Sequence, residues 1–497
     1  MGSSPGAARA GCAAVVMALA LLLPEPSWSA PAAALKLEDC RLVHPEGLGS
    51  TAARCGHLSV PEDPQNPAGR HIELAVAVVP AIAASARPDP LFLLAGGPGE
   101  GARDAFVPLL GALAGIRRER DIVLVDQRGT GDSNPMRCKF QTESLADDDS
   151  PARLKQLAED CLKTLPGDPR FYTTSVAVGD LDAVRAALGY QRINLYGGSY
   201  GTRVAQQYVR RYPARVRTVI LDGVISPTLV LGPTMAIDAE SALRAAFARC
   251  EADSACAARY PGIGAEFDAL RERLDRQPVE VRLPDPITAE PREVGFAGGQ
   301  LALAARMFVY SDRTVALLPL LIDQAQKSGN FAPLAAQAEL LRDDLQDKIA
   351  YGMHNSVVCS EDIPYLDPKA IDRAALDKSF IGSALLDGLR AMCSVWPRGI
   401  VDPDQRKPLH SRVPALLLSG QFDPVTPPAY AAEAAAGFTD HVSVTFAGQG
   451  HIQLGLRCAQ SLIRHFLEAG TAKGLDTHCV DTVRPAPFFL NFNGGQP

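Results

Sequence analysis

Ile193-Asn194-Leu195-Tyr196-Gly197-Gly198-Ser199-Tyr200-Gly201 is an apolar run that breaks into a serine among glycines and then into a helical pattern. A strand that turns this sharply into a helix strains the serine backbone and pushes its Oγ out of the sheet, and only small neighbours fit beside it. Gly197 and Gly201 are those neighbours, which makes Ser199 a candidate nucleophile. The following Thr202 to Tyr212 carries Val204, Tyr208 and Val209 at helical spacing before Pro213 ends the pattern.

Working outward on the N-terminal side, Pro90 to Leu94 reads as a short buried strand ending in Ala95-Gly96-Gly97-Pro98-Gly99. A glycine turn at a strand end leaves backbone N–H groups free to meet a developing oxyanion. The N–H of Tyr200, with one from Gly96 or Gly97, is the candidate pair. A helix is expected from Asp104 to about Ile116, then a strand at Ile122 to Val125 running into Asp126-Gln127-Arg128-Gly129-Thr130-Gly131-Asp132-Ser133. Thr174 to Leu188 reads as an amphipathic helix leading into the serine strand, and Val216 to Leu221 as the next strand, ending at Asp222-Gly223. His71 to Ala81 supplies an antiparallel edge. This alternation argues for an α/β protein with a mostly parallel sheet covered by helices on both faces.

The rhythm stops after about Ser226. Six helical patterns with proline-rich joints follow (Met235 to Cys250, Ala265 to Leu274, Gly299 to Val309, Val315 to Gln326, Ala332 to Leu345, Ala370 to Cys393). Strands resume at Pro414 to Gly420 and Val442 to Phe446, and a helix from about Gly455 to Ala469 closes the pattern. The expected organisation is a core over 33–225, a large helical lid inserted over 226–411 and a second part of the core over 412–497.

With 497 residues, 47% hydrophobic and 21% charged, the chain is large enough for such a core and insert. Its net charge of -7 and the lack of a long basic run argue against nucleic acid, and Arg117-Arg118-Glu119-Arg120 reads as a solvated helix end. Arg9, the twelve-residue apolar run Cys12 to Leu23 and the small residues around Ala30-Pro31-Ala32 form a secretory signal pattern over 1–32, with Ser27-Trp28-Ser29 as the alternative cleavage step. The run is too short to span a bilayer, so no stable membrane anchor is expected. Of eleven cysteines, removal of Cys12 leaves ten, an even number suited to five disulfides in a periplasmic or extracellular protein. Neighbour pairing is the simplest expectation: Cys40 with Cys55, Cys138 with Cys161, Cys250 with Cys256, Cys359 with Cys393, and Cys458 with Cys479. No Cys-x-x-Cys or His-x-x-x-His spacing supports a metal, and no cofactor is expected.

Two loops after the late strands hold Asp423, in Gln421-Phe422-Asp423-Pro424-Val425-Thr426-Pro427, and His451, in Ala447-Gly448-Gln449-Gly450-His451. His451 would take the Ser199 proton and return it to the leaving group, while Asp423 would hold the imidazole tautomer. The order Ser, Asp, His is that of an α/β hydrolase. Together with Cys55 through Pro61, the Gly96-Gly97-Pro98-Gly99 turn and the Asp126 to Ser133 loop, these motifs resemble the prolyl and tripeptidyl aminopeptidase branch of that fold, and most of all exported bacterial tripeptidyl aminopeptidase-like proteins. The latter carry a cysteine followed closely by an acid in the lid, here Cys359-Ser360-Glu361-Asp362. The resemblance implies a secreted serine peptidase acting on peptides with a free N-terminus, with Glu361 or Asp362 pairing to the substrate ammonium. Helix capping is the plainer role for those acids.

The chain departs from the family at two places. Ala95 replaces the histidine found before the turn in many prolyl aminopeptidases, which fits the tripeptidyl branch. Glu100 stands where a small residue is expected, either as an extra contact to a substrate amine or as a solvated loop charge, the second being preferred. A carboxylesterase with the same triad is the alternative, and a binding protein on a hydrolase scaffold is disfavoured because all three triad members are present.

Overall fold

The computed structural model describes residues 1–2, 35–138, 150–285 and 288–494. The signal pattern and both cleavage steps lie outside the described residues. Five strands form the first part of the sheet in chain order: β1 (Glu38–Val43), β2 (Ser50–Pro61), β3 (His71–Val79), β4 (Leu91–Leu94) and β5 (Ile122–Val125). They are followed by β6 (Ile193–Gly198) and β7 (Val216–Asp222); β8 (Val279–Pro284) and β9 (Pro291–Phe296) make a separate hairpin; β10 (Ala415–Gly420) and β11 (His441–Phe446) return to the main sheet. The main sheet has nine strands in the order β1-β2-β3-β5-β4-β6-β7-β10-β11. The first three are antiparallel to their neighbours, and from β5 to β11 every pairing is parallel.

The central strands are continuous apolar runs because both faces are covered. Phe92, Val123, Leu195 and Val219 pack on one face with the helices Thr174–Ala187 and Tyr200–Arg211. Leu91, Leu93, Leu124, Tyr196 and Ile220 pack on the other with Phe106 and with Ile463 and Phe466 of the helix Arg457–Ala469. The C-terminal ends of the parallel strands β4 to β7, β10 and β11 therefore open on one edge, where loops of parallel sheets gather for chemistry.

Several expectations need correction. The segment from Asp104 to Ile116 is not one helix: Ala102–Phe106 gives way to a 3-10 stretch, Val107–Leu113, and a short turn, Ala114–Arg117. Pro108 and Gly111 sit at the break, one lacking an N–H and the other weakening a helix. Arg120 is buried at 3% exposure, bonded to Asp89 at 3.0 Å and to the Leu467 carbonyl at 3.1 Å, so that basic stretch is not wholly solvated. Between β7 and β10 the chain is mostly helical, with its own apolar core around Phe247, Phe267, Leu301 and Ile322. That insert also holds the β8–β9 hairpin, whose alternating Val279-Glu280-Val281-Arg282-Leu283 has the strand period. The segments Val315 to Gln326 and Ala370 to Cys393 are each split, and the helix Tyr351–Glu361 was not expected.

All five disulfides join the expected neighbours, Cys40–Cys55, Cys138–Cys161, Cys250–Cys256, Cys359–Cys393 and Cys458–Cys479. Among the described residues no helix is long and apolar enough to cross a membrane.

Candidate active site

Ser199 sits at the junction of β6 and the helix Tyr200–Arg211 with φ 53° and ψ -121°, in the left-handed half of backbone space that a side chain pays about 1–3 kcal/mol to occupy. Its neighbours hold it there. Ser199 N–H donates to the Asp222 carbonyl at 2.9 Å, and its own carbonyl accepts from Thr202 N–H at 2.9 Å and Thr202 Oγ1 at 2.6 Å. Glycine is required on both sides, since a Cβ at Gly197 would meet the Gly201 carbonyl and one at Gly201 would meet the Leu94 and Ala95 carbonyls.

The turn after β4 passes directly over this serine. A methyl group on Gly96 would lie 3.1 Å from Ser199 Cβ and 3.7 Å from its Oγ, which places the Gly96-Gly97 backbone beside the oxygen. Tyr200, the other candidate donor, is fully buried and braced through its hydroxyl, which meets Thr174 Oγ1 at 2.7 Å and accepts from Gln127 Nε2 at 3.2 Å. The loop after β5 thus reaches the site through Gln127.

Asp423 and His451 meet at the ends of β10 and β11. His451 Nδ1 lies 2.7 Å from Asp423 Oδ2, and the carboxylate also accepts from Val425 N–H at 2.9 Å, Thr426 N–H at 2.8 Å and Thr426 Oγ1 at 2.8 Å. Burial opposes the Asp423 charge, but the imidazole and these N–H groups outweigh it and hold the carboxyl below its usual range. Burial also opposes a charged imidazole; Asp423 and, secondarily, Asp222 outweigh it against Arg306, so His451 is raised above its ordinary value.

Asp222, read from the sequence only as a strand end, joins serine and histidine. Its carboxylate accepts from Gln453 N–H at 2.9 Å, Leu454 N–H at 3.0 Å and Tyr196 Oη at 2.7 Å, fixing the chain just after His451. A Cβ on the next residue, Gly223, would come within 2.8 Å of His451 Cε1. The imidazole therefore rests on the residue adjoining the one that anchors Ser199 N–H. Ser199 Oγ itself makes no hydrogen bond to His451 in this arrangement, where the ring is tied through Nδ1.

The helical insert closes over both loops. Ala350 N–H donates to the Gly99 carbonyl at 2.9 Å, Ile349 forms a β-bridge with Glu100, and His354 Nδ1 lies 3.2 Å from the Pro98 carbonyl. On the opposite side His451 N–H donates to the Tyr310 carbonyl at 2.8 Å, and the Tyr310 and His451 rings meet edge-on at 5.4 Å. Neither Tyr310 nor His354 carried a sequence signal, because a lone aromatic or histidine in a lid has no motif.

Glu361 and Asp362, at the end of the helix Tyr351–Glu361, are not brought to the serine as ammonium ligands, and that expectation is corrected. Both are 0% exposed. Asp362 takes two bonds from Arg203 at 2.9 Å and one from Leu231 N–H at 2.9 Å, so its charge is already matched. Glu361 accepts from Thr174 N–H at 2.7 Å, Thr174 Oγ1 at 2.8 Å and Gln405 Nε2 at 2.6 Å, and burial pushes it up to about 7 despite Arg203. They buttress the elbow helix from behind. Among the described residues no group of three or more His, Cys, Asp or Glu side chains is arranged to hold a metal ion.

Residues 89–246 match the family described as the alpha/beta hydrolase fold, and residues 378–479 match the family described as TAP-like protein. The chain has the α/β-hydrolase fold, and its C-terminal part is similar to TAP-like proteins. It is 26% identical to the serine protease Hip1 of Mycobacterium tuberculosis over 94% of both chains. It is 29% identical to that organism's carboxylesterase B, over 96% of this chain and 92% of the relative. It is 33% identical to the tripeptidyl aminopeptidase of Streptomyces coelicolor, over 35% of this chain and 36% of the relative. The chain is a serine hydrolase, and its five disulfides fit an oxidising compartment.

Proposed function

We propose that this hydrolase is an exported serine exopeptidase that releases residues or short peptides from the free N-terminus of peptides. Signal removal near Ala32 would leave the mature core and lid in the periplasm or outside the cell. The observation that carries the reading is the closure of the insert over the site from two sides, at Gly99-Glu100 through Ile349-Ala350 and at His451 through Tyr310. Contacts on two sides narrow the approach to the site, which favours the entry of a chain end over the middle of an extended polypeptide.

In the proposed mechanism Ser199 Oγ attacks the scissile carbonyl carbon and its proton passes to His451 Nε2, while Asp423 keeps Nδ1–H oriented. The N–H groups of Tyr200 and of Gly96 or Gly97 receive the oxyanion. Collapse breaks the C–N bond, His451 gives the proton to the leaving amine, and the N-terminal fragment remains as an ester on Ser199. Water, deprotonated by His451, then releases it as a free acid. Ser199 and His451 approach one another as substrate binds, since catalytic hydrogen bonds tighten in the substrate complex.

The carboxylesterase reading is kept because the relative named carboxylesterase B aligns over nearly the whole chain. Products separate the two. Peptides of two to six residues with free N-termini should yield fragments that retain the original N-terminus, identified by mass. If only small esters are hydrolysed and every peptide stays intact, the esterase reading replaces this one.

A further inference from the structure

With Glu361 and Asp362 held by the protein's own donors, a carboxylate for the substrate amine has to be sought elsewhere. Glu100 follows directly on the Gly96-Gly97-Pro98-Gly99 turn, and its backbone is fixed between that turn and the lid. It pairs with Ile349 in a β-bridge, and the preceding Gly99 is so close that a Cβ there would lie 3.0 Å from the Ala350 carbonyl. The backbone from which its side chain starts is therefore held by the same contacts that seat the lid on the turn beside Ser199.

Resting on the exopeptidase reading above, we propose that Glu100 is the specificity-determining carboxylate that receives the substrate's α-ammonium group.

Glu100 lines a small cavity of about 10 Å³ together with Gly96, Gln127, Thr130, Tyr200 and Met353. A space of that size holds about one water molecule, and an ammonium head is of similar size. One wall, Gly96, abuts Ser199, and another, Tyr200, is the residue that follows it. An ammonium carries three N–H donors, and besides the carboxylate the amide of Gln127 and the hydroxyl of Thr130 border the same space. Neither Glu361 nor Asp362 borders it.

Glu100 is also short of partners. Among the described residues its carboxylate accepts no hydrogen bond and forms no close ion pair; Lys348 attracts it only at longer range, and the Lys348 ammonium is bonded to Asp344 at 2.7 Å. Burial pushes Glu100 up to about 7, with Asp104 and Asp344 adding to the rise and Lys348 opposing it. A half-buried carboxylate whose only attracting cation, Lys348, lies at longer range gains from a ligand that brings a positive charge into contact. An acylated amine brings no charge and leaves the carboxylate unpaired, so discrimination against it should be about 30-fold or more.

The test measures kcat/KM for a free and an N-acetylated chromogenic peptide with wild type, Glu100→Gln, Glu100→Ala and Glu361→Gln, the active enzyme being counted by phosphonate labelling. The wild type should prefer the free peptide by about 30-fold or more. In both Glu100 variants that ratio should collapse toward one, the loss falling on the free peptide, while Glu361→Gln should lower both substrates together and keep the ratio. A merely structural role for Glu100 would depress both substrates equally and so overturn the proposal, as would collapse of the ratio in Glu361→Gln alone. A wild type without preference would overturn the exopeptidase reading itself.

Discussion

At the residue scale, His451 stands between two carboxylates with different tasks. Asp423 is bonded to Nδ1, whereas Asp222 holds the backbone that follows the ring, and both favour the imidazolium. A histidine that must accept the Ser199 proton works only when neutral. Since its folded value lies above the ordinary one, kcat/KM should fall with one-proton slope as pH drops through a point above about 6.5. Asp423→Asn removes the main upward influence, so that limb should move to lower pH while turnover drops by about 10⁴. A pH profile whose acid limb stays in place in Asp423→Asn would contradict the assignment. The three proposed triad positions stand out in the sequence because each follows an apolar strand and they come in the order Ser, Asp, His. The role of Asp222 was hidden, since nothing local shows that its partners lie at Gln453 and Leu454. Glu361 and Asp362 were misread for the same reason: the Arg203 that neutralises Asp362 is 159 residues away in sequence.

At the element scale, the junction of β6 and its helix depends on how closely β4 passes. Gly201 leaves no room for a side chain, because an added Cβ would press on backbone, the Leu94 and Ala95 carbonyls, just where β4 enters the oxyanion turn. Gly201→Ala should therefore cost about 1–3 kcal/mol in unfolding free energy. It should also lower kcat by about 10²-fold by shifting the turn away from Ser199. Thermal melts and turnover that both match wild type would show that β4 and the elbow are not coupled in this way. The elements read correctly were those with an unbroken period: the buried strands, Thr174–Ala187 and Arg457–Ala469. The helix Tyr351–Glu361 escaped because it is buried nearly all round, from Gly352 and Met353 to Val358 and Glu361, and so shows no amphipathic stripe.

At the scale of the whole molecule, one edge of the nine-stranded sheet collects the groups that the proposed chemistry needs, and the helical insert folds back onto that edge. The disulfide Cys359–Cys393 fastens the helix carrying Glu361 to the helix Ala384–Cys393, so the buttress behind Tyr200 and the lid over Gly99 belong to one cross-linked unit. Fold class was legible from the strand–helix alternation, but not how the helical insert seats, which depends on Tyr310, Ile349 and Ala350 meeting loops far away in sequence. The central claim is that Ser199 carries the acyl group during peptide hydrolysis. Quenching the enzyme in acid during turnover of an activated ester of a free tripeptide, then measuring intact and tryptic masses, tests it most directly. The expected result is one added acyl mass located on the peptide containing Ser199, absent in Ser199→Ala; an adduct on another residue, or undiminished turnover by Ser199→Ala, would contradict it.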